Sequence, residues 1–187
     1  DALGWEPPSF AHLPLLVNDQ GDKLSKRHGD VAVMDYKESG YLQEALINFL
    51  AFLGWNPGDD REIFSLEELE QEFSLDRCKK SSSVFDKDKL NWYNKQYMKE
   101  MNLDKLTNQA IPFFNNSGIL DEHDVDTEKD FEWLKLVVEL EQERAKNLVD
   151  LVESVGFIFA DELDYDTELL VWRDADESDA EKKLSGI

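Results

Sequence analysis

The sequence predicts a mainly helical protein preceded by a short, irregular remnant of another domain. Three observations predict it. Apolar residues recur at helical spacing from Leu42 onward, helix-start signals stand at Ser65 and Asp86, and the only extended-looking apolar run lies before residue 18. A chain of 187 residues with 41% hydrophobic side chains can bury a core of one large or two small domains.

From Phe10 to Val17 the residues are mostly apolar and stop at Asn18-Asp19-Gln20-Gly21-Asp22, a cluster of turn formers, which reads as a short strand followed by a loop. The loop continues through Lys23, Lys26 and Arg27 to Gly29, so the basic residues are bracketed by glycines that permit unusual backbone angles. The apolar positions 42, 45, 46, 49, 50 and 53 form one helix face, which Gly54 ends. Ser65-Leu-Glu-Glu68 has the form of a capping box for a short helix to about Phe73. Asp86 is an N-cap candidate for a helix through Met98, with Leu90, Tyr93 and Tyr97 along one side. Further helices are expected near 103–115, 128–141, 142–155 and 162–172, and another helical pattern begins at Ser178.

The formal net charge of −22 weighs against nucleic-acid binding by the chain as a whole, because phosphate contact depends on clustered Lys and Arg. The charge is uneven, however. Residues 1–118 carry 13 basic and 20 acidic side chains, whereas 119–187 carry 7 and 22. A polyanion-facing surface is therefore expected early, and solvated acidic helix faces late. The single cysteine, Cys78, has no disulfide partner in the chain and fits a reducing compartment. No apolar run is long enough to span a bilayer, and the polar opening around Trp5 and Glu6 is no signal peptide, so the expected location is cytoplasmic. His123 among Asp121, Glu122, Asp124 and Asp126 lacks the spacing of a calcium loop, and no metal site is assigned. His12, in an apolar stretch, is expected to pack rather than react. Trp55, Trp92 and Trp133 are expected as core anchors.

Lys23, Lys26 and Arg27 with the hydroxyl of Ser25 suit a loop that closes over a polyphosphate. Attack of a carboxylate on the α-phosphorus of ATP places negative charge on the nonbridging oxygens and the departing pyrophosphate, where preorganised cations lower the barrier. On composition alone a solvated basic loop explains the same residues. Lys79, Lys80, Lys87, Lys89, Lys95 and Lys99 make a second basic stretch, read either as a phosphate-facing surface or as helix-surface lysines balancing Asp86, Asp88 and Glu100.

The longer string goes beyond composition. Leu15-Leu16, then Lys23-Leu24-Ser25-Lys26-Arg27-His28-Gly29, Gly40-Tyr41-Leu42, Glu44-Ala45-Leu46 and Phe52-Leu53-Gly54-Trp55 follow in order. So do Phe64-Ser65-Leu66 and the segment from Phe85-Asp86 to Leu90, Trp92 and Asn94. This pattern resembles the bacterial-type glutamyl-tRNA synthetases, class I aminoacyl-tRNA synthetases, and the match covers residues 1–98 well. His28-Gly29 after the signature favours the glutamyl over the glutaminyl branch.

The resemblance implies the end of a class I catalytic domain with the signature loop over 1–30. A helical stem-contact region over 31–100 and part of an α-helical anticodon-binding cage over 101–187 follow. It implies that Lys26 contacts ATP, that Lys23 assists at the phosphates, and that Ser25 and Arg27 shape or anchor the loop. Leu24 stands where many class I enzymes carry methionine. It also implies a monomeric glutamate–tRNA ligase acting on tRNA(Glu), L-glutamate and ATP with Mg2+. The family's Rossmann-type half, with its His-x-Gly-His motif, precedes the signature, so these residues alone are not expected to catalyse. The competing readings are a non-catalytic tRNA-binding module and an acidic helical scaffold, the latter leaving Lys23 to Arg27 unexplained.

Overall fold

The structure is a computed structural model that describes residues 4–6, 8–24, 32–120, 125 and 127–160. It divides into two compact units, residues 1–155 and 156–187. Of the second, the described part is a 3-10 turn at Gly156–Phe159. The first unit is mainly helical, as expected. Its elements are β1 (Leu16–Val17), α1 (Val33–Glu38), α2 (Gln43–Phe52), α3 (Leu66–Glu72), β2 (Ser83–Val84), α4 (Lys87–Glu100), α5 (Leu103–Asn116), α6 (Glu128–Glu141) and α7 (Leu148–Val155).

The strand expected over Phe10–Val17 shrinks to two residues. Pro14 has no amide to donate, and Phe10, Leu13 and Leu15 are exposed. Pro14 instead lies against the backbone of Gly54, where a Cβ would stand 2.7 Å from the proline Cγ. The short β1 pairs in parallel with β2, a partner strand with no alternating pattern in the sequence, Leu16 opposite Ser83 and Val17 opposite Val84.

α2 packs against α3 and α4. The apolar positions 42, 45, 46, 49 and 53 are buried as the spacing requires, while Leu50 is exposed. Leu46, Phe49 and Leu53 join Tyr36, Tyr41, Leu90 and Tyr93 in a core that includes several edge-to-face aromatic pairs, such as Phe49 with Phe85 at 5.0 Å and Phe49 with Tyr93 at 6.0 Å. A second cluster joins Trp55, Phe64 and Leu69. Trp55 is thus the expected anchor, at 1% exposure, whereas Trp92 and Trp133 are exposed. α5, α6 and α7 pack on one another, burying Leu106, Ala110 and Phe114 at i, i+4 spacing against Leu134, Val138, Leu151 and Val152.

The end signals act as read. Ser65 accepts from the Glu68 amide and Glu68 reaches back to the Ser65 amide at 2.7 Å, closing the capping box of α3. Asp86 caps α4 through the amides of Asp88 and Lys89. We expect Ser65→Ala to lower stability by about 1 kcal/mol in urea unfolding, and Ser65→Asp to restore most of it.

One boundary differs. The helix expected over 142–155 begins only at Leu148, because Asn147 accepts from the Asp150 amide at 2.8 Å while Asp150 accepts from the Lys146 amide at 2.8 Å. Residues 142–147 make the turn between α6 and α7. The expected helix over 162–172 and the pattern from Ser178 lie outside the described residues.

Candidate functional site

The site begins at the base of the basic loop. Asn18 organises the turn after β1: its Oδ1 accepts from the amides of Gln20 (3.0 Å) and Asp22 (2.8 Å). Its backbone amide donates to the Asp22 carbonyl, and Gly21 takes a positive φ of 84° to complete the reversal. The chain then returns alongside β1. Val17 bridges Lys23 in antiparallel fashion and the Leu24 amide donates to the Leu16 carbonyl at 3.1 Å. Lys23 therefore stands exposed beside β1, joined to it by a single bridge outside the two-stranded β1–β2 sheet. Ser25, Lys26, Arg27 and His28 lie outside the described residues. The backbone up to Leu24 is hydrogen-bonded to β1.

Beyond β2 an open groove of about 350 Å³ runs between that strand and the start of α4. Phe49, Phe52, Leu53 and Tyr93 form its apolar side, and Lys79, Ser81, Ser82 and Lys89 are among its polar lining. The Tyr93 hydroxyl is buried with no hydrogen-bond partner among the described residues. Burial, reinforced by the nearby Glu62 carboxylate, pushes its phenol well above the usual tyrosine range.

The second basic stretch divides. Lys89 pairs with Glu62 at 2.6 Å and lies 4.3 Å from the Trp92 ring centre, and Lys99 stands 3.9 Å from Glu143. These two are balanced by carboxylates distant in sequence, not by the neighbouring Asp86, Asp88 or Glu100. Lys79, Lys80 and Lys95 form no ion pair among the described residues. His12 is exposed rather than packed.

Sequence reasoning missed two side chains that hold this architecture. Asn48 and Asn94 are fully buried. Asn48 donates to the Glu62 carbonyl at 2.9 Å and accepts from the Phe64 amide at 2.7 Å. Asn94 accepts from the Leu42 amide at 2.7 Å and donates to the Lys146 carbonyl at 2.6 Å. Each sits on a helix face otherwise apolar at i−4 or i+4, which is the signal that marks a buried polar link.

Among the described residues no group of three or more His, Cys, Asp or Glu stands close enough to hold a metal ion, and no helix is long and apolar enough to cross a membrane. His123 and its acidic neighbours lie outside the described residues.

Residues 1–92 match the family model described as tRNA synthetases class I (E and Q), catalytic domain, and residues 105–186 match that of an anticodon binding domain. This chain belongs to the class I glutamyl- and glutaminyl-tRNA synthetase family. Among similar curated proteins is the glutamate–tRNA ligase of Alkaliphilus metalliredigens, 45% identical over 159 residues, covering 85% of this chain and 32% of the relative. That of Fusobacterium nucleatum subsp. nucleatum is 48% identical over 161 residues, covering 86% and 31%. A crystal structure of a glutamate-tRNA synthetase from Elizabethkingia anophelis superposes with a TM-score of 0.72 at 30% identity, over 91% of this chain and 37% of that one. A glutamate tRNA ligase from Elizabethkingia meningosepticum in complex with its amino acid gives 0.73, also at 30% identity, over 92% and 37%. The chain thus spans about a third of the length of the relatives it matches. In the synthetase family frame, the exposed Lys23 is the first residue of the signature string, and the groove behind β2 belongs to the segment matched by the catalytic-domain model.

Proposed function

We propose that the polypeptide carrying this chain is a glutamate–tRNA ligase of bacterial type. The observation that supports it most is the succession, in one chain, of the two family segments with Lys23-Leu24-Ser25-Lys26-Arg27 at the spacing read from the sequence. In this reading residues 1–30 end the catalytic domain, 31–100 contact the tRNA stem, and 101–187 begin the anticodon-binding domain.

The reaction joins two displacements. A carboxylate oxygen of L-glutamate attacks the α-phosphorus of ATP, the bond to the bridging oxygen breaks and pyrophosphate leaves; a terminal ribose hydroxyl of tRNA(Glu) then attacks the glutamyl carbonyl and AMP departs. Lys26 holds the charge that develops on the phosphate oxygens, with Lys23 assisting and Ser25 and Arg27 setting the loop. The hairpin base argues for this division, because Lys23 is tied to β1 while Lys26 is three residues farther from the anchor. Magnesium enters with the nucleotide as part of the substrate. Lys79, Lys80 and Lys95 are the cations we assign to tRNA phosphates. The protein acts as a monomer in the cytoplasm.

The test is charging of tRNA(Glu) with radiolabelled glutamate by the polypeptide that includes the nucleotide-binding half. Accumulation of glutamyl-tRNA that depends on ATP supports the ligase. Binding of tRNA without charging would instead identify a tRNA-binding module derived from a synthetase.

A further inference from the structure

The seam between residues 31–100 and the helices that follow them is built to a tighter standard than a linker requires. α1 ends in a Schellman motif: the Gly40 amide donates to the Lys37 carbonyl and the Tyr41 amide to that of Tyr36. The rings of Tyr36 and Tyr41 meet edge to face at 5.7 Å. Gly40 has a φ of +80°, where a side chain is strained, and an added Cβ would stand 2.7 Å from the backbone nitrogen of Val149. Its own carbonyl accepts the Leu148 amide at 2.9 Å, so the end of α1 caps the start of α7 directly.

Two side chains close the seam from the other side. Asn94, fully buried on α4, ties the Leu42 amide to the Lys146 carbonyl. Gln142, in the turn after α6, donates through Nε2 to the carbonyls of Met98 (3.0 Å) and Met101 (2.9 Å) at the end of α4. The chain neighbours of these residues, Tyr41 and Tyr93, belong to the core against which Leu16 of β1 packs, and β1 carries the Lys23 hairpin. A continuous path of buried contacts therefore links the α5–α7 layer to the base of the signature loop.

We infer that Gly40, Asn94 and Gln142 form a rigid joint that fixes the anticodon-side helices relative to the segment carrying the signature loop. They are positioning residues: Gly40 and Asn94 are buried and Gln142 half-buried in the seam, and they act through the angle they hold. The consequence for charging rests on the ligase reading, whereas the joint itself can be read without it.

The test uses the full-length polypeptide with every native cysteine replaced by serine, Cys78 among them, and spin labels at Glu70→Cys on α3 and Glu139→Cys on α6, both exposed positions. With Asn94 and Gln142 intact, pulsed electron resonance should give one narrow distance distribution. Asn94→Asp keeps the acceptor for Leu42 but sets a carboxylate against the Lys146 carbonyl; Gln142→Met removes the bonds donated to the Met98, Lys99 and Met101 carbonyls from a half-buried site. Each should broaden the distribution. Each should also lower kcat/KM for whole tRNA(Glu) about tenfold, while a short acceptor-stem duplex without an anticodon arm is charged within twofold of the parent rate. A broad distribution in the parent overturns the joint, as do variants that keep its distribution. An equal loss on both substrates reduces these residues to ordinary stability. Distances that respond in a protein that charges nothing uphold the joint and refute the ligase.

Discussion

If the parent polypeptide is the ligase proposed above, replacing Lys26 by alanine in it should lower the rate of tRNA(Glu) charging by about a hundredfold or more, with the loss in kcat rather than in the KM for ATP. The reason lies in when the charge appears. ATP arrives with its phosphates already accompanied by magnesium, so a lysine on the signature loop adds little to ground-state binding. As the α-phosphorus bond to the bridging oxygen stretches, negative charge moves toward the pyrophosphate, and a cation already in place there meets it at no cost of reorganisation. Loss of one such donor typically costs about 3 kcal/mol in a water-excluded site, which sets the scale of the expected effect.

Lys23→Ala should cost less, on the order of tenfold, because Lys23 is pinned beside β1 by the Val17 bridge and can follow the nucleotide only by its side chain. Single-turnover assays at saturating ATP separate these effects from substrate binding. Equal losses for the two variants, or a Lys26→Ala effect confined to KM, would remove the transition-state role from Lys26. Arg27→Lys serves as the control for loop shape, since it keeps the charge and changes only the geometry of the donor.

Much of this arrangement is legible in the residues because the local signals agree with the tertiary result. Leu42 to Leu53 carries a helical apolar stripe and becomes the buried face of α2, and the Ser65 and Asp86 caps fall where the sequence places them. Most of the failures have a common cause: dependence on a partner remote in sequence. The apolar run before residue 18 looks like a strand of ordinary length, but a strand extends only as far as a neighbour supplies hydrogen bonds, and β2 offers two residues. Helix α1 buries only Tyr36 and has no side-chain cap, so nothing in its six residues announces it. The Asn147-x-x-Asp150 pair is a missed signal that was local: as at Ser65 the first side chain accepts from the amide three residues on, but here the acid reaches back to the amide of Lys146, one residue before Asn147. For the site, the Asn18–Asp22 turn follows from residue types, whereas the bridge that ties Lys23 to Val17 does not, because the residues there read only as loop. The groove along β2 does not, because it is assembled from segments near positions 49, 80 and 90 that only the fold brings together.

Asn48 gives the clearest case of such a long-range dependence, and Asn48→Ala should destabilise the protein by about 3 kcal/mol. The side chain is fully buried in α2. Its amide nitrogen satisfies the Glu62 carbonyl and its oxygen satisfies the Phe64 amide, so it supplies the backbone partners that residues 62–64 lack, having no paired strand. The Tyr97 hydroxyl, shared between Asn48 Oδ1 (2.7 Å) and the Phe64 carbonyl, ties α4 to the same point. Alanine leaves one donor and one acceptor unsatisfied in a dry site at about 1 to 3 kcal/mol each, partly offset if the Glu62–Phe64 backbone shifts toward water. Asn48→Asp separates the two halves of the effect. A carboxylate can still accept from the Phe64 amide but has no proton for the Glu62 carbonyl, and burial raises its folded-state pKa above the unfolded value. The folded form then binds more protons than the unfolded one, so the deficit relative to Asn48 is smallest below the ordinary aspartate range near pH 4 and grows as pH rises through the folded pKa. Urea midpoints measured at pH 4 and pH 8 would show a larger gap between Asn48→Asp and the parent at pH 8, while Asn48→Ala keeps a constant deficit. A deficit for Asn48→Asp that is the same at both pH values would mean that water reaches the site, and that the Glu62 carbonyl is not dependent on Asn48 for its partner.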